Sequence, residues 1–154
     1  VKVDKPNAQF LFVTGESPER LKKAAEEKDI DPKSISVISV LHHEVPHYIS
    51  LMDASIFFIK PSYSKKASSP TKQGEIMAMG VPLICNSNVG DTDLIVARYK
   101  AGTVIDEFNE ATYKNNIINP EAFDSQAIAA GAKDYFALEN GVERFLDVYS
   151  KIYE

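Results

Sequence analysis

Apolar residues occur in short blocks along this chain, separated by longer polar segments. The first block, Phe10–Val13, is continuous and ends at Thr14-Gly15, which predicts a buried strand followed by a turn. We expect the block Ser55–Ile59 to lie in the middle of a sheet, because it is almost wholly apolar. Three further blocks predict the remaining strands: Ile35–Leu41, Val81–Cys85 and Thr103–Ile105.

The segments between these strands have helical patterns. Ser17-Pro18-Glu19 combines a capping hydroxyl, a proline at the first helical position and an acid in the first turn, so it predicts a helix start. Pro70–Met79 predicts a helix with Ser69 as its cap and Gly80 at its end. Two further helices are expected, over Pro46–Met52 and Asp93–Tyr99.

Beyond Asp106 the pattern is only helical. Pro120–Glu154 predicts two helices with a break near Glu139–Gly141. The last helix has an apolar stripe, which we expect to pack on the same domain. The stripe consists of Phe145, Leu146, Val148, Tyr149 and Ile152.

Apolar strands that alternate with helices predict a parallel sheet covered on both faces. The predicted fold class is therefore α/β, with a Rossmann-like parallel sheet flanked by helices. A length of 154 residues suits one domain. No linker rich in Pro, Gly or Ser divides the chain, so we expect residues 1–154 to form a single domain.

The overall charge and the single cysteine limit the function classes. A net charge of −5 argues against a partner that is a nucleic acid. Cys85 has no second cysteine to pair with, so we expect a reducing, cytoplasmic compartment and a core position for this thiol. No apolar run approaches the roughly 20 residues that span a bilayer, and no signal peptide is visible. A start at Val1 rather than Met indicates a trimmed chain.

A basic segment interrupts this acidic chain. No acidic residue falls between Asp53 and Glu75, whereas Lys60, Lys65, Lys66 and Lys72 all do. Small hydroxyl residues accompany the lysines, and the segment follows a strand and ends at a helix start. Ligands of open α/β sheets bind at that edge, and a helix N-terminus offers free backbone N–H groups to an anion. The segment predicts a diphosphate site; the alternative is a solvated lysine-rich loop.

Glu75 follows this segment within the first two turns of the helix. A carboxylate at that place is suited to accept hydrogen bonds from two ribose hydroxyls. The alternative is an acid that is favoured there by the helix dipole alone.

The stretch from Ser68 to Ile84, with its Ser-Ser-Pro-Thr-Lys-Gln-Gly-Glu and Met-Gly-Val-Pro-Leu-Ile wording, resembles the donor site of GT-B glycosyltransferases of family 4, the glycosyl transferases group 1. The resemblance implies that Glu75 binds the donor ribose. It also implies that a turn holds the donor phosphates and sugar, with Ser68, Ser69, Thr71 and Lys72 as its matching residues. Ala67 stands where the family has a first glutamate that contacts the transferred sugar.

The resemblance continues outside this motif and covers nearly the whole chain. Gly15, Asp53-Ala54, Asn86–Asp91 and the helical pair Ala132–Tyr149 match further family landmarks. In the family, the loop after the second predicted strand lies near the nucleotide base, so Leu41 and His42 are candidate base contacts. The resemblance implies the C-terminal half of a GT-B fold, in a fragment that lacks the N-terminal acceptor domain and the first strand of this domain.

The implied function is the donor-binding half of a retaining hexosyltransferase for surface polysaccharides or glycoconjugates, inactive as this fragment alone. The implied partners are a nucleotide-diphosphate sugar, the N-terminal domain of the same protein and a lipid-linked or saccharide acceptor at the inner membrane face. No metal or other cofactor is expected. A sugar-nucleotide epimerase of the same two-domain fold and a stand-alone nucleotide-binding module remain as alternatives.

One competing motif is a zinc-protease pattern. His43-Glu44-Val45-Pro46-His47 fits His-Glu-x-x-His literally, and a zinc hydrolase needs both histidines on one helical face. Pro46 disfavours that geometry, because proline breaks an interior helical turn and restricts the residue before it. We therefore expect a loop here, with Pro46 opening the next helix.

Overall fold

In the computed structural model, which describes residues 5–116 and 118–153, the predicted strands form two parallel sheets. Val1, on which the expectation of a trimmed chain rests, lies outside these residues. Strand β1 (Phe10–Val13) pairs with β2 (Ile35–Ile38), with Phe10 opposite Ile35. The second sheet has the order β3-β4-β5. Its strands are β3 (Ser55–Ile56), β4 (Leu83–Asn86) and β5 (Gly102–Ile105).

The expectation that Ser55–Ile59 is central is wrong. Among the described residues β3 pairs only with β4, and β4 is the middle strand, buried along its whole length. Ile56 and Phe58 point to the same side of the chain and remain 47% and 42% exposed. An almost wholly apolar sequence predicts that both faces of a strand are covered. It does not specify which surfaces cover them, nor whether the strand lies in the middle or at the edge of its sheet.

Seven helices are described in this part of the chain. The first is α1 (Pro18–Glu26), where the Ser17 hydroxyl accepts a hydrogen bond from the Arg20 N–H at 3.3 Å, as the sequence predicts. The other helices are α2 (Val45–Ile49), α3 (Thr71–Ala78), α4 (Thr92–Tyr99), α5 (Glu110–Asn115), α6 (Ser125–Phe136) and α7 (Leu138–Tyr153). Short 3-10 turns cover Pro32–Ser34, His42–Glu44, Tyr63–Ala67 and Pro120–Ala122.

The main core lies between β4 and helices α3, α4 and α6. Met77, Leu83 and Ile128 are among its most buried side chains, and Cys85 lies within it, as predicted. Burial raises the pKa of the Cys85 thiol to about 12, so this thiol stays protonated and unreactive. On the opposite face of the sheet, Ile84, Ile105 and Ile118 form a smaller cluster.

Helices α3 and α6 pack antiparallel, and glycines allow their close approach. A Cβ on Gly74 would lie 3.0 Å from the Phe136 ring, and a Cβ on Gly80 would lie 2.7 Å from the Ser125 carbonyl oxygen. Gly80 has φ +71, and the N–H groups of Gly80 and Val81 donate to the carbonyls of Met77 and Ile76. The helix therefore ends at a left-handed glycine with a Schellman motif, as predicted.

The last helix differs from expectation in two ways. The break lies at Ala137, so Glu139–Gly141 is inside α7. The apolar stripe does not pack on the described part of this domain: Phe145 is 67% exposed, and the other four stripe residues are exposed as well. An amphipathic pattern predicts that a helix buries one face, but it does not identify the surface that covers it. No described helix is both long and apolar enough to cross a membrane.

Candidate functional site

The predicted phosphate segment lies at the carboxyl edge of the three-stranded sheet. After β3 the chain passes through the 3-10 turn Tyr63–Ala67, becomes extended at Ser68 and enters α3 at Thr71. The four lysines of the basic segment are exposed. Within the described part of the chain, their ammonium groups form no ion pair. The predicted positive charge is therefore present and accessible.

Ser69 does not cap α3, which corrects the prediction. Pro70 occupies the N-cap position, no side chain caps the helix, and the Gln73 N–H donates to the Pro70 carbonyl at 3.0 Å. Proline lacks an N–H, but at this position that loss falls outside the helix. The N–H groups of Thr71 and Lys72 have no partner among the described residues. An uncapped helix N-terminus of this kind is suited to bind an anion.

The structure brings together two of the predicted nucleotide contacts. His42 Nε2 lies 3.2 Å from Glu75 Oε1, although the residues are 33 positions apart in the sequence. The His42 side chain is 90% exposed and the Glu75 side chain 36% exposed. Leu41 is also exposed, and its N–H donates to Glu44 Oε2 at 2.8 Å. The turn after β2 therefore faces the second helical turn of α3, where Glu75 lies.

The loop after β4 contacts the basic segment and supports it. The Gly90 N–H donates to the Lys65 carbonyl at 2.9 Å. Gly90 has φ +51, and a Cβ there would lie 1.7 Å from the Ser68 carbonyl oxygen, so a side chain would displace Ser68. The side chain of Asn86, at the end of β4, contacts the backbone of Ile59, which directly precedes the segment.

Three buried polar atoms lie where α3 and α4 begin. Gln73 is fully buried, and its Nε2 donates to the Thr92 carbonyl at 3.1 Å. Gln73 Oε1, Thr92 Oγ1 and Asp91 Oδ1 are buried without a partner among the described residues. Asp91 Oδ2 accepts a hydrogen bond from the Tyr135 hydroxyl, which ties the start of α4 to α6. Buried polar atoms are ordinarily satisfied by protein, ordered water or ligand.

Residue patterns alone missed these supporting side chains. Asn86 ends an otherwise apolar strand, and Gln73 lies on the buried side of a helix. An amide in such an apolar setting is the sequence signal that was available, because buried amides require hydrogen-bond partners. The sequence does not say which partners those are.

A groove of about 660 Å³ runs between α3 and α6. Thr71 and Glu75 line one end, whereas Ser68, Ser69 and Lys72 do not line it. Most of its other lining residues are small and apolar. We therefore interpret the groove as a helix-packing groove that adjoins the phosphate segment rather than as the diphosphate site.

The zinc-protease pattern is divided between two elements. His43 lies in the 3-10 turn and His47 in α2, with Pro46 in the first turn of α2, as expected. The Glu44 carboxylate is already bound to the Leu41 N–H. In the described ranges, no group of three or more His, Cys, Asp or Glu residues is arranged to hold a metal ion.

Parallel strands flanked by helices make this an α/β domain, and the candidate site residues lie at the carboxyl edge of the sheet, where ligands of such domains bind. The family model for glycosyl transferases group 1 matches residues 1–122. The chain therefore belongs to this family. A search of curated protein sequences gives no match.

The fold also matches a solved structure, AviGT4, a glycosyltransferase involved in avilamycin A biosynthesis. The TM-score is 0.68 at 14% sequence identity. The match covers 94% of this chain and 43% of the AviGT4 chain, so this chain spans less than half the length of that protein. The likeness confirms the predicted GT-B type of Rossmann-like fold.

Proposed function

We propose that this chain binds the nucleotide-diphosphate sugar in a retaining glycosyltransferase. The observation that carries the proposal is the uncapped start of α3. There the N–H groups of Thr71 and Lys72 have no partner in the described structure, and they lie beside unpaired lysines. Backbone N–H groups and the positive end of the helix dipole favour a doubly charged ligand such as a diphosphate.

In this proposal, the phosphate groups of the donor contact the hydroxyls of Ser68, Ser69 and Thr71 and the Lys72 ammonium group. Ser69, Thr71 and Lys72 are exposed, and Ser68 is half-buried beside Gly90. A lysine ammonium group is a mobile point charge that follows a phosphate oxygen. This arrangement supports a contact that neutralises negative charge without requiring a metal ion.

The nucleoside of the donor contacts Glu75 and the turn at Leu41 and His42. Glu75 Oε1 lies next to His42 Nε2, which leaves Oε2 for a ribose hydroxyl. Because α3 rises about 1.5 Å per residue, Glu75 lies roughly one turn beyond the amides at Thr71 and Lys72. That separation suits a ligand whose ribose adjoins its diphosphate.

These contacts favour the transfer reaction through its leaving group. When the bond between the anomeric carbon and the diphosphate oxygen breaks, negative charge grows on that oxygen, and an acceptor oxygen forms the new bond to the anomeric carbon. Fixed N–H groups and an ammonium group stabilise that developing charge. Ala67 leaves the transferred sugar without the glutamate contact that the family resemblance implies at this place.

In the whole protein, an N-terminal domain supplies the other wall of the site and binds a lipid-linked or saccharide acceptor. Hexose transfer to a surface polysaccharide or glycoconjugate at the inner membrane face is part of this proposal and follows from the family resemblance alone.

Two variants of this chain test the proposal together. Lys72→Ala removes a phosphate contact, so it weakens the binding of a nucleoside diphosphate more than that of the matching nucleoside. Glu75→Gln removes a hydrogen-bond acceptor for the ribose, so it weakens the binding of both ligands. Isothermal titration or NMR titration with UDP, uridine, ADP and adenosine measures the differences. Lys28→Ala is the control, because it removes an exposed lysine that lies at the end of α1. Equal losses of diphosphate and nucleoside affinity in Lys72→Ala contradict the assigned role.

A further inference from the structure

The side chain of Asn86 replaces the last rung of the ladder between β3 and β4. The Ser55 N–H donates to the Pro82 carbonyl at 2.9 Å, and the Phe57 N–H donates to the Ile84 carbonyl at 3.1 Å. Parallel pairing would continue from the Ile59 N–H to the Asn86 carbonyl. Instead, the Ile59 N–H donates to Asn86 Oδ1 at 2.8 Å.

The amide group of Asn86 makes three hydrogen bonds inside the protein, one through its oxygen and two through its nitrogen. Its Nδ2 donates to the Ile59 carbonyl at 2.9 Å and to the Ser87 carbonyl at 3.0 Å. Asn86 is only 3% exposed. A primary amide supplies one acceptor and two donors on a short stem, and no other small side chain meets all three demands. The structure therefore requires asparagine rather than merely a polar residue.

At the carboxyl edge of the sheet, Ile59 is joined to β4 through a side chain rather than backbone to backbone. Paired strands lie about 4.8 Å apart, and a bridging amide requires more room than a direct backbone hydrogen bond. Lys60, the first residue of the basic segment, follows directly. The hydrogen bonds that join Ile59 to β4, directly before the basic segment, thus come from a single buried side chain.

The loop that follows Asn86 holds the segment a second time, closer to α3. Four residues after Asn86, the Gly90 N–H binds the Lys65 carbonyl, and its backbone packs against Ser68. The loop after β4 thereby fixes both the beginning of the basic segment and the hydroxyl residues that precede α3.

We propose that Asn86 is a positioning residue for the donor diphosphate: it holds the Lys60–Ser69 segment at the distance from α3 that lets both contact one ligand. The inference rests on the proposed function, because it assigns the diphosphate to that segment. Asn86 does not touch the ligand, and its effect is confined to the phosphate end.

The test compares inorganic pyrophosphate with uridine and adenosine as probes, followed by NMR. Asn86→Ala weakens pyrophosphate binding by roughly tenfold, the size of effect that loss of a supporting hydrogen bond has around metal sites. The nucleoside-induced shifts at His42 and Glu75 stay unchanged. The amide proton of Ile59 exchanges faster in the variant, which reports the broken contact without any ligand. Asn116→Ala is the matched control, since it removes an amide-to-carbonyl bond to Thr112 at the end of α5.

Asn86→Asp provides a second measurement, which tests the positioning role of Asn86 if the alanine variant does not fold. A carboxylate keeps the acceptor for Ile59 but turns a charged oxygen toward two carbonyl oxygens, so pyrophosphate binding falls. Burial beside these oxygens raises the carboxyl pKa. Protonation at lower pH restores an O–H donor, and binding recovers relative to wild type at the same pH.

The outcomes separate this inference from the proposed function. Wild-type pyrophosphate shifts at Ser68–Lys72, together with unchanged affinity in both Asn86 variants, overturn the positioning role and leave the proposed function standing. Equal losses of pyrophosphate and nucleoside binding also overturn it, because they indicate a general structural defect. Wild-type protein without any pyrophosphate shift in that segment contradicts the proposed function, and the role of Asn86 fails with it.

Discussion

Buried polar residues connect the proposed diphosphate site to the rest of the domain. Gln73 binds α3 to α4, Asp91 binds the start of α4 to α6, and Asn86 binds β4 to the basic segment. Such contacts are costly to break, because each leaves a buried group without a partner. The exposed residues of the proposed diphosphate site are therefore supported by buried side chains.

The hydrogen bond from Tyr135 to Asp91 should make stability depend on pH at the alkaline end. Hydrogen bonding to Asp91, then burial, raises the pKa of Tyr135. A raised pKa means that the folded state holds the proton more tightly. The contribution to stability is therefore complete below the ordinary tyrosine pKa of about 10 and is lost as pH rises through the folded pKa.

Tyr135→Phe is expected to lower the free energy of unfolding by about 1 kcal/mol at pH 7. The difference between wild type and variant should shrink above pH ~10. Urea denaturation at several pH values measures it. Using the difference between the two proteins removes the contribution of Tyr99, whose pKa is also raised. A difference that stays constant into the alkaline range would rule out this linkage.

At the scale of elements, two Ser-Pro pairs in the chain begin helices in different ways. Ser17 is the N-cap of α1 and Pro18 its first residue, whereas Pro70 is itself the N-cap of α3. In α1 the capping serine hydroxyl accepts a hydrogen bond from the Arg20 N–H. The helix without one has free N–H groups where we place the diphosphate. Identical dipeptides thus begin a helix with a side-chain cap in one place and a helix without one in the other.

Alanine substitution of the two serines should separate these roles. Ser17→Ala loses a cap and lowers the free energy of unfolding by about 1 kcal/mol. Ser69→Ala leaves stability within about 0.5 kcal/mol of wild type but weakens pyrophosphate binding. Thermal denaturation and NMR titration of both variants measure the two effects. Destabilisation of similar size in both variants would show that Ser69 caps α3 after all.

The end of α3 gives a second prediction at this scale. Gly80→Ala places a Cβ at φ +71 and against Ser125, so we expect a loss of more than about 1 kcal/mol in unfolding free energy. Gly141→Ala is the control, because its Cβ meets nothing within 4 Å inside α7. That change should leave stability unchanged or raise it by up to about 1 kcal/mol. Chemical denaturation measures the unfolding free energy of both variants. A Gly80→Ala variant as stable as wild type would contradict the assigned helix end.

At the scale of the whole molecule, the exposed stripe of α7 and the exposed side chains of Ile56 and Phe58, in and just after β3, share one property. Both are apolar surfaces that the described part of the chain does not cover. They contribute little to the stability of this domain, because burial is the source of hydrophobic stabilisation. The core around Met77 and Ile128 carries that stability instead.

A pair of substitutions tests this distribution of stability. Phe145→Ser should change the unfolding free energy by no more than about 0.5 kcal/mol, since the side chain is exposed. Ile128→Ala removes a side chain that is only 1% exposed and should cost about 2–5 kcal/mol. Urea denaturation compares them. Comparable losses in the two variants would mean that the stripe of α7 packs on this domain.

Local patterns predicted the strands and most helices well, because period and turn residues depend on neighbours in the sequence. The position of Ser55–Ile59 in the sheet and the packing of α7 depend on which surfaces meet, and that information is not local. The helix break was placed wrongly because Gly141 lies inside a helix. At the site, charge and hydroxyl content indicated the segment, whereas the Asn86 and Gln73 contacts depend on partners far apart in the sequence.

The central claim is that the start of α3 and its basic segment hold the diphosphate of a nucleotide sugar. The most direct measurement is an NMR titration of this chain with a panel of nucleotide-diphosphate sugars that differ in base and sugar. We predict that at least one donor produces concentration-dependent amide shifts concentrated on Ser68–Glu75, with smaller shifts at Leu41 and His42. If no donor in the panel shifts the amides of Ser68–Glu75, the central claim is contradicted.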